Sequence, residues 1–264
     1  MALVVAVANQ KGGVGKTTTA VNLSVSLAVA EQRVLLVDAD PQGNASSGLG
    51  YDRKIDGKEL YTALLGDATL QQNIVQTELP QLQLVASSTN LAGAEIELID
   101  ESDRALRLRH SLQPVRKQYD YVFIDCPPSL GILTINALVA ADTVMVPMQA
   151  EYYSLEGLSN LMNTINRVRG TLNPPLRLDG VLLTMFDPRN NLANQVAAEV
   201  AKHFRIYDTV IPRNVRLAEA PSYGKPIVLY DPTSKGAHGY LNLASEILDR
   251  HVTVVNDEWD GRSE

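Results

Sequence analysis

The sequence predicts an α/β domain built on a doubly wound, mostly parallel β-sheet with helices on both faces. Three observations predict it. Short apolar runs recur along the 264 residues without the apolar–polar alternation of half-exposed strands, which is how strands buried on both faces read. Longer stretches of helical pattern separate them, and such alternation builds a parallel sheet through right-handed crossovers. A glycine-rich junction flanked by lysines joins the first apolar run to the first helical stretch.

Taken in order, the first strand is LVVAVA at 3–8, followed by a helix over 16–30 and a strand VLLV at 34–37. Residues 44–80 show no clear period and read as loops with a short helix. A helix over 102–118 precedes the strand YVFI at 121–124, and one over 130–140 precedes TVMVP at 143–147. Helices over 154–169 and 192–203 lie either side of LDGVLLT at 178–184, and a last helix spans 234–250. No repeat and no Gly/Ser- or Pro-rich linker divides the chain, so residues 1–251 are expected to form a single domain with a well-buried core. The segment 252–264, VTVVNDEWDGRSE, is acidic and polar at its end and is expected to be a flexible tail.

Composition narrows the function classes. Hydrophobic residues make up 45% and charged residues 20% of the chain, as in soluble globular proteins. No run of ~18 apolar residues suggests a membrane span. The opening MALVVAVANQ lacks the basic region and cleavage site of a signal peptide, and reads as a buried strand. A single cysteine, Cys126, excludes an intrachain disulfide and a Cys-rich metal site, and fits a reducing cytoplasm. Ten tyrosines against three phenylalanines and one tryptophan point to rings near surfaces or polar partners. A net charge of -7 and a pI near 5.2 argue against nucleic-acid binding when taken globally. Local charge is a separate matter.

Residues 9–19, NQKGGVGKTTT, follow a strand and open a helix, the context of a phosphate-binding P-loop. Glycines let backbone N–H groups close on phosphate oxygens, and the helix N-terminus adds unpaired N–H groups with partial positive charge. Lys16 brings a charge to the β- and γ-phosphates, Thr17 a hydroxyl to Mg²⁺, and Thr18 reaches toward the α-phosphate. The strict pattern G-x-x-x-x-G-K-[ST] breaks at Gln10, and a second lysine, Lys11, precedes the glycines instead. A chance glycine-rich turn with a solvated lysine is the plainer alternative. Lysine, three glycines, lysine and threonine in one strand-to-helix junction argue against it.

Such a site also needs carboxylates, and ligands of open α/β sheets gather at the carboxyl ends of strands. Asp125 directly follows an apolar strand and is placed to hold Mg²⁺ through a water. In VLLVDADPQGN, Asp38 lies close to its strand and supports the magnesium shell, whereas Asp40 lies further out, where it would orient the attacking water. Each of these aspartates has a plainer reading, as a loop residue, a turn residue or a helix N-cap.

The segments KGGVGKTTT, VDADPQGN, DCPPS and IPRNVRLAEAPSYGKPI, in that order, closely resemble the ParA/Soj group of partition ATPases, which carry a deviant Walker A motif. The resemblance covers about residues 2 to 250. It implies an Mg²⁺-dependent ATPase of the P-loop NTPase fold that binds ATP between two protomers of a homodimer. Lys11 matches the signature lysine that reaches the partner's phosphates. Gly12, Gly13, Val14, Gly15, Lys16, Thr17 and Thr18 match the phosphate cradle. Asp40 matches the residue needed for hydrolysis and Asp125 the Walker B aspartate. Pro212, Arg213 and Asn214, with Met185, match the region around adenine.

The resemblance also implies sequence-independent binding of double-stranded DNA by the ATP dimer, with Arg189 and Arg216 at the matching positions. Between 185 and 216 stand Arg189, Lys202, Arg205, Arg213 and Arg216 against Asp187, Glu199 and Asp208, a locally positive stretch. A ParB-type partner is expected to stimulate hydrolysis, and a cytoplasmic, nucleoid-associated location follows. Other branches of the class fit less well. The nitrogenase iron protein needs two cysteines per subunit. MinD carries a basic amphipathic membrane helix, whereas this chain ends NDEWDGRSE, so no membrane partner is expected. Neither a C-terminal tyrosine cluster nor an N-terminal helix-turn-helix is expected. The alternative left open is a ParA-like positioning switch for a protein cargo.

Overall fold

Runs of Val, Leu, Ile and Ala without polar side chains cannot form a sheet with a wetted face, so they take its centre. A computed structural model describes residues 2–51, 59–152 and 154–260, with the backbone alone from 251 onward. The chain runs β1 (Leu3–Val7), α1 (Lys16–Val29), β2 (Val34–Asp38), α2 (Asn44–Gly48), α3 (Leu60–Leu65), α4 (Leu70–Asn73), β3 (Ile74–Gln76) and β4 (Leu82–Val85). It continues through α5 (Leu91–Glu97), α6 (Arg107–Leu112), β5 (Tyr121–Asp125), α7 (Ile132–Ala140), β6 (Thr143–Gln149), α8 (Ser154–Thr171), β7 (Arg177–Phe186) and α9 (Asn191–Ala201). β8 (Ile211–Pro212), α10 (Val215–Glu219), α11 (Ile227–Tyr230) and α12 (Lys235–Asp260) follow.

Among the described residues the strands form one eight-stranded sheet in the order β3-β4-β2-β5-β1-β6-β7-β8. β3 runs antiparallel to β4, and the other neighbouring pairs are parallel. Successive side chains of the central strands enter opposite layers. Val4, Ala6, Leu35, Val37, Val122 and Ile124 face a core built with α3, α5, α6, α7 and α8. Val5, Val7, Val34, Leu36, Tyr121 and Phe123 face one built with α1 and α12. The doubly wound architecture is therefore as expected.

α1 is buried nearly all round, and Asn22 and Thr19 find polar partners inside, whereas the Ser24 hydroxyl has none among the described residues. Asn22 Nδ2 donates to Thr18 O at 2.7 Å, and Ile227 N donates to Asn22 Oδ1 at 2.7 Å. The Thr19 and Tyr240 hydroxyls meet at 3.2 Å, tying α1 to α12. Tyr207 and Tyr240 are among the largest fully buried side chains, each with a polar partner for its hydroxyl.

The structure departs from the expected elements in several places. The single helix over 102–118 is replaced by α6 and a short 3-10 turn at 116–118, because Pro114 lacks the N–H that a continuous helix needs. The region 44–80 holds α2, α3, α4 and β3, more structure than loops and a short helix. α12 continues to Asp260 through part of the segment expected to be a tail. Side chains beyond 250 and residues 261–264 lie outside the described residues. Among the described residues, no helix is long and apolar enough to cross a membrane.

Candidate ATPase site

The parallel register brings three strand ends side by side: Val7 of β1 pairs with Asp125 of β5, which pairs with Asp38 of β2. The loop 8–15 leaves β1 at this edge and enters α1. Gly13 at φ 72 and Gly15 at φ 87 take left-handed backbone that side chains disfavour. Gly12 has no such φ and open space where a Cβ would stand. Gly15 caps α1 without a side-chain acceptor, so the first N–H groups of the helix stay available.

The two lysines of the loop sit in different surroundings. Lys16 is buried, and its Nζ donates to Lys11 O at 3.0 Å. Burial pulls its pKa down, and the charge of nearby Asp125 opposes this. Lys11 stands at the rim. Its N–H donates to Asn9 Oδ1 at 3.0 Å, and its ammonium pairs with Glu151 at 2.5 Å.

Asp125 is fully buried, and neither carboxylate oxygen has a hydrogen-bond partner among the described residues. Burial and the neighbouring Asp38 push its pKa well up, while the Thr17 hydroxyl is near enough to favour the charged form. A buried oxygen pair left bare beside a threonine hydroxyl suits a hard, oxygen-seeking cation. Asp38 is differently used. Its Oδ2 accepts from Ser46 N at 2.8 Å and Ser46 Oγ at 2.7 Å, and its Oδ1 from Asp40 N at 3.2 Å. Burial raises its pKa to about 6, with these hydrogen bonds opposing. Ser46 Oγ also accepts from Ser87 N at 3.0 Å, fastening the end of β2 to the residues after β4. Asp40 is buried and accepts from Gln42 N at 2.9 Å. Burial and Asp125 push the Cys126 thiol far up, leaving it inert.

A mostly apolar cavity of about 300 Å³ opens beside the loop. Met185, Pro212, Arg213 and Asn214 line it together with Gly15 and Thr18, so the residues expected around adenine meet at the phosphate loop. Met185 takes φ 49, unusual for a side-chain-bearing residue, where the β7–β8 register shifts.

The expected DNA-binding arginines are at least half exposed and are occupied by acids. Arg189 is exposed and pairs with Asp187 at 2.8 Å. Arg216 pairs with Glu219 at 2.8 Å and Asp231 at 3.5 Å. Lys202 pairs with Glu199 at 2.6 Å. Arg189, Lys202 and Arg216 of residues 185–216 are thus paired with acids, those of Arg216 lying outside that stretch.

Sequence reasoning missed Gln149, Thr184 and Ser46. Gln149 ends β6 and Thr184 lies near the end of β7, and that position was the available signal, whereas Ser46 sits in α2.

A glycine loop at the carboxyl ends of a parallel sheet, with a buried lysine and a bare aspartate beside it, makes this chain a P-loop ATPase. A family model described as an AAA domain matches residues 2–178. The chromosome partitioning protein ParA of Myxococcus xanthus is 54% identical over 249 residues, 94% of this chain and 88% of that protein. The sporulation initiation inhibitor protein Soj of Bacillus subtilis is 55% identical over 249 residues, 94% and 98% of the two chains. The chain belongs to the ParA/Soj family of chromosome-partitioning ATPases. Among solved structures, a Mycobacterium smegmatis protein described as cobyrinic acid a,c-diamide synthase, with bound ADP and magnesium, superposes with TM-score 0.83 at 37% identity over 96% of each chain.

Proposed function

We propose that this ATPase is a nucleotide-timed switch for DNA segregation. ATP joins two copies face to face, the pair holds double-stranded DNA without sequence preference, and hydrolysis stimulated by a ParB-type partner releases it. One observation carries the reading: the loop holds one lysine inside, Lys16, and presents another, Lys11, at its rim. Lys16 serves phosphates bound in the same chain. Lys11, paired with a half-exposed carboxylate, is free to exchange Glu151 for phosphate on a facing copy. The names of the curated relatives, chromosome partitioning proteins, support the segregation role.

Within one subunit the free N–H groups of the loop and the start of α1 bind phosphate, and the cavity at Met185 and Pro212 takes the base. Asp40 orients the water that attacks the γ-phosphorus. Thr17 and Asp125 would hold magnesium, with Asp38 behind them; when bound it supplies charge that neutralises phosphate oxygens. Arg189 and Arg216 would exchange their acidic partners for DNA phosphates.

The test is phosphate release measured with DNA, with a ParB-type protein from the same source, and with both. The expected result is stimulation by the two together beyond the sum of each alone. Stimulation by the protein without any need for DNA would replace this reading with the positioning of a protein cargo.

A further inference from the structure

We infer that Gln149 and Thr184 are positioning residues for nucleotide phosphate, acting through the peptide planes of the loop. The two are register partners on adjacent parallel strands, at the carboxyl end of β6 and near that of β7. Each donates to a loop carbonyl. Gln149 Nε2 reaches Gly13 O at 3.1 Å, and the buried Thr184 hydroxyl reaches Val14 O at 2.7 Å. In a planar trans peptide the C=O and the following N–H point in opposite directions. Holding the Gly13 carbonyl therefore turns the Val14 N–H the other way, and holding Val14 does the same for Gly15. Neither N–H has a hydrogen-bond partner among the described residues. Lys16 Nζ repeats the device at the Lys11 carbonyl, at 3.0 Å. Gly15 O is taken by Thr19 N at 2.9 Å in the first turn of α1.

The same pair links the loop to the base cavity. Gln149 Nε2 also lies 2.8 Å from Met185 Sδ, and Thr184 is part of the cavity wall. A Cβ on Gly15 would stand 3.7 Å from the Thr184 methyl, so the loop rests against this side chain. A loop with two consecutive carbonyls tethered enters binding with its N–H groups already aimed, which lowers the ordering cost of taking phosphate.

This inference rests on reading residues 11–17 as a phosphate site, and the experiment separates the two. ADP binding is measured by calorimetry and adenosine binding by ligand-observed NMR, for the parent, T184V, T184S, Q149L and K16A. Loss of one buried hydrogen bond is expected to weaken ADP about tenfold in T184V, with adenosine changed less than about twofold because the cavity wall keeps its shape. T184S, which retains the hydroxyl, is expected to recover most of the ADP affinity, and Q149L to show a smaller loss in the same direction. If the parent fails to bind ADP, or K16A binds as well as the parent, the phosphate-site reading falls. If the parent binds and T184V matches it, or T184V loses adenosine as much as ADP, or T184S gives no recovery, the positioning role falls. Should T184V not fold, Q149L decides alone, and parental ADP affinity in that variant overturns the inference.

Discussion

Asp40 and Asp125 end or follow neighbouring strands, yet they are prepared for different work. Asp125 keeps both oxygens bare in a buried position, which suits a cation. Asp40, also buried, keeps one oxygen on the Gln42 N–H, which orients its carboxylate. Removing Asp40 should therefore spare binding and stop turnover. Asp40→Ala is expected to bind ATP at parental affinity and to hydrolyse it at least about 100-fold more slowly, the scale of a lost general base. Equilibrium binding and single-turnover phosphate release check it, and hydrolysis at the parental rate would remove Asp40 from the mechanism. Cys126, beside Asp125, shows that proximity alone is not a role: its thiol is buried and held protonated.

At the scale of elements, α1 connects chemistry to stability, since its first turn is the phosphate site and its body lies between the sheet and α12. Leu27 of α1 and Leu243 of α12 are fully buried in the same layer. Leu27→Ala or Leu243→Ala is expected to lower unfolding free energy by about 2–5 kcal/mol in a urea titration; a change below about 1 kcal/mol would mean the helix pair packs loosely. Arg189 precedes α9 and Arg216 lies in α10, both in exposed ion pairs of the kind worth little in water. Arg189→Ala with Arg216→Ala should weaken DNA binding and flatten the dependence of log K on log salt by roughly one unit for each phosphate that is no longer neutralised. An unchanged slope would place the DNA elsewhere. The central strands were legible because burial on both faces leaves unbroken apolar runs. β3 and β4 were not: β3 is a three-residue edge strand and β4 carries Gln83 within it. The phosphate loop was legible because its glycines and lysines are contiguous. Gln149 and Thr184 were hidden because their partners lie 136 and 170 residues away.

For the molecule as a whole, the paired carboxylates set the pH response of the nucleotide-free state. Burial holds Asp38 near pKa 6 and pushes Asp125 well up as well, against about 3.9 in an unfolded chain. An acid with a raised folded pKa takes up a proton on folding. Its stabilising contribution is complete below the unfolded value and disappears as pH rises through the folded one. Without magnesium, the melting temperature is expected to rise as pH falls from about 7.5 to 5.5, and the rise should shrink in Asp125→Asn. Magnesium reverses the preference, because it competes with those protons, so its affinity should fall across the same interval. A flat melting profile in the parent would show that the pair is ionised without cost.

The long reach of Gln149 and Thr184 has a further consequence on the ribosome. Translation makes the loop almost at once, at ~5–20 residues per second, but its supports come much later. β1 gains its sheet neighbours only when β5 and β6 emerge, and the Val14 carbonyl waits for residue 184. The first functional segment to be translated is thus among the last to be assembled. A nascent chain halted before residue 184 would carry every residue of the loop without the Val14 tether, so it is expected to hold nucleotide more weakly than the complete chain.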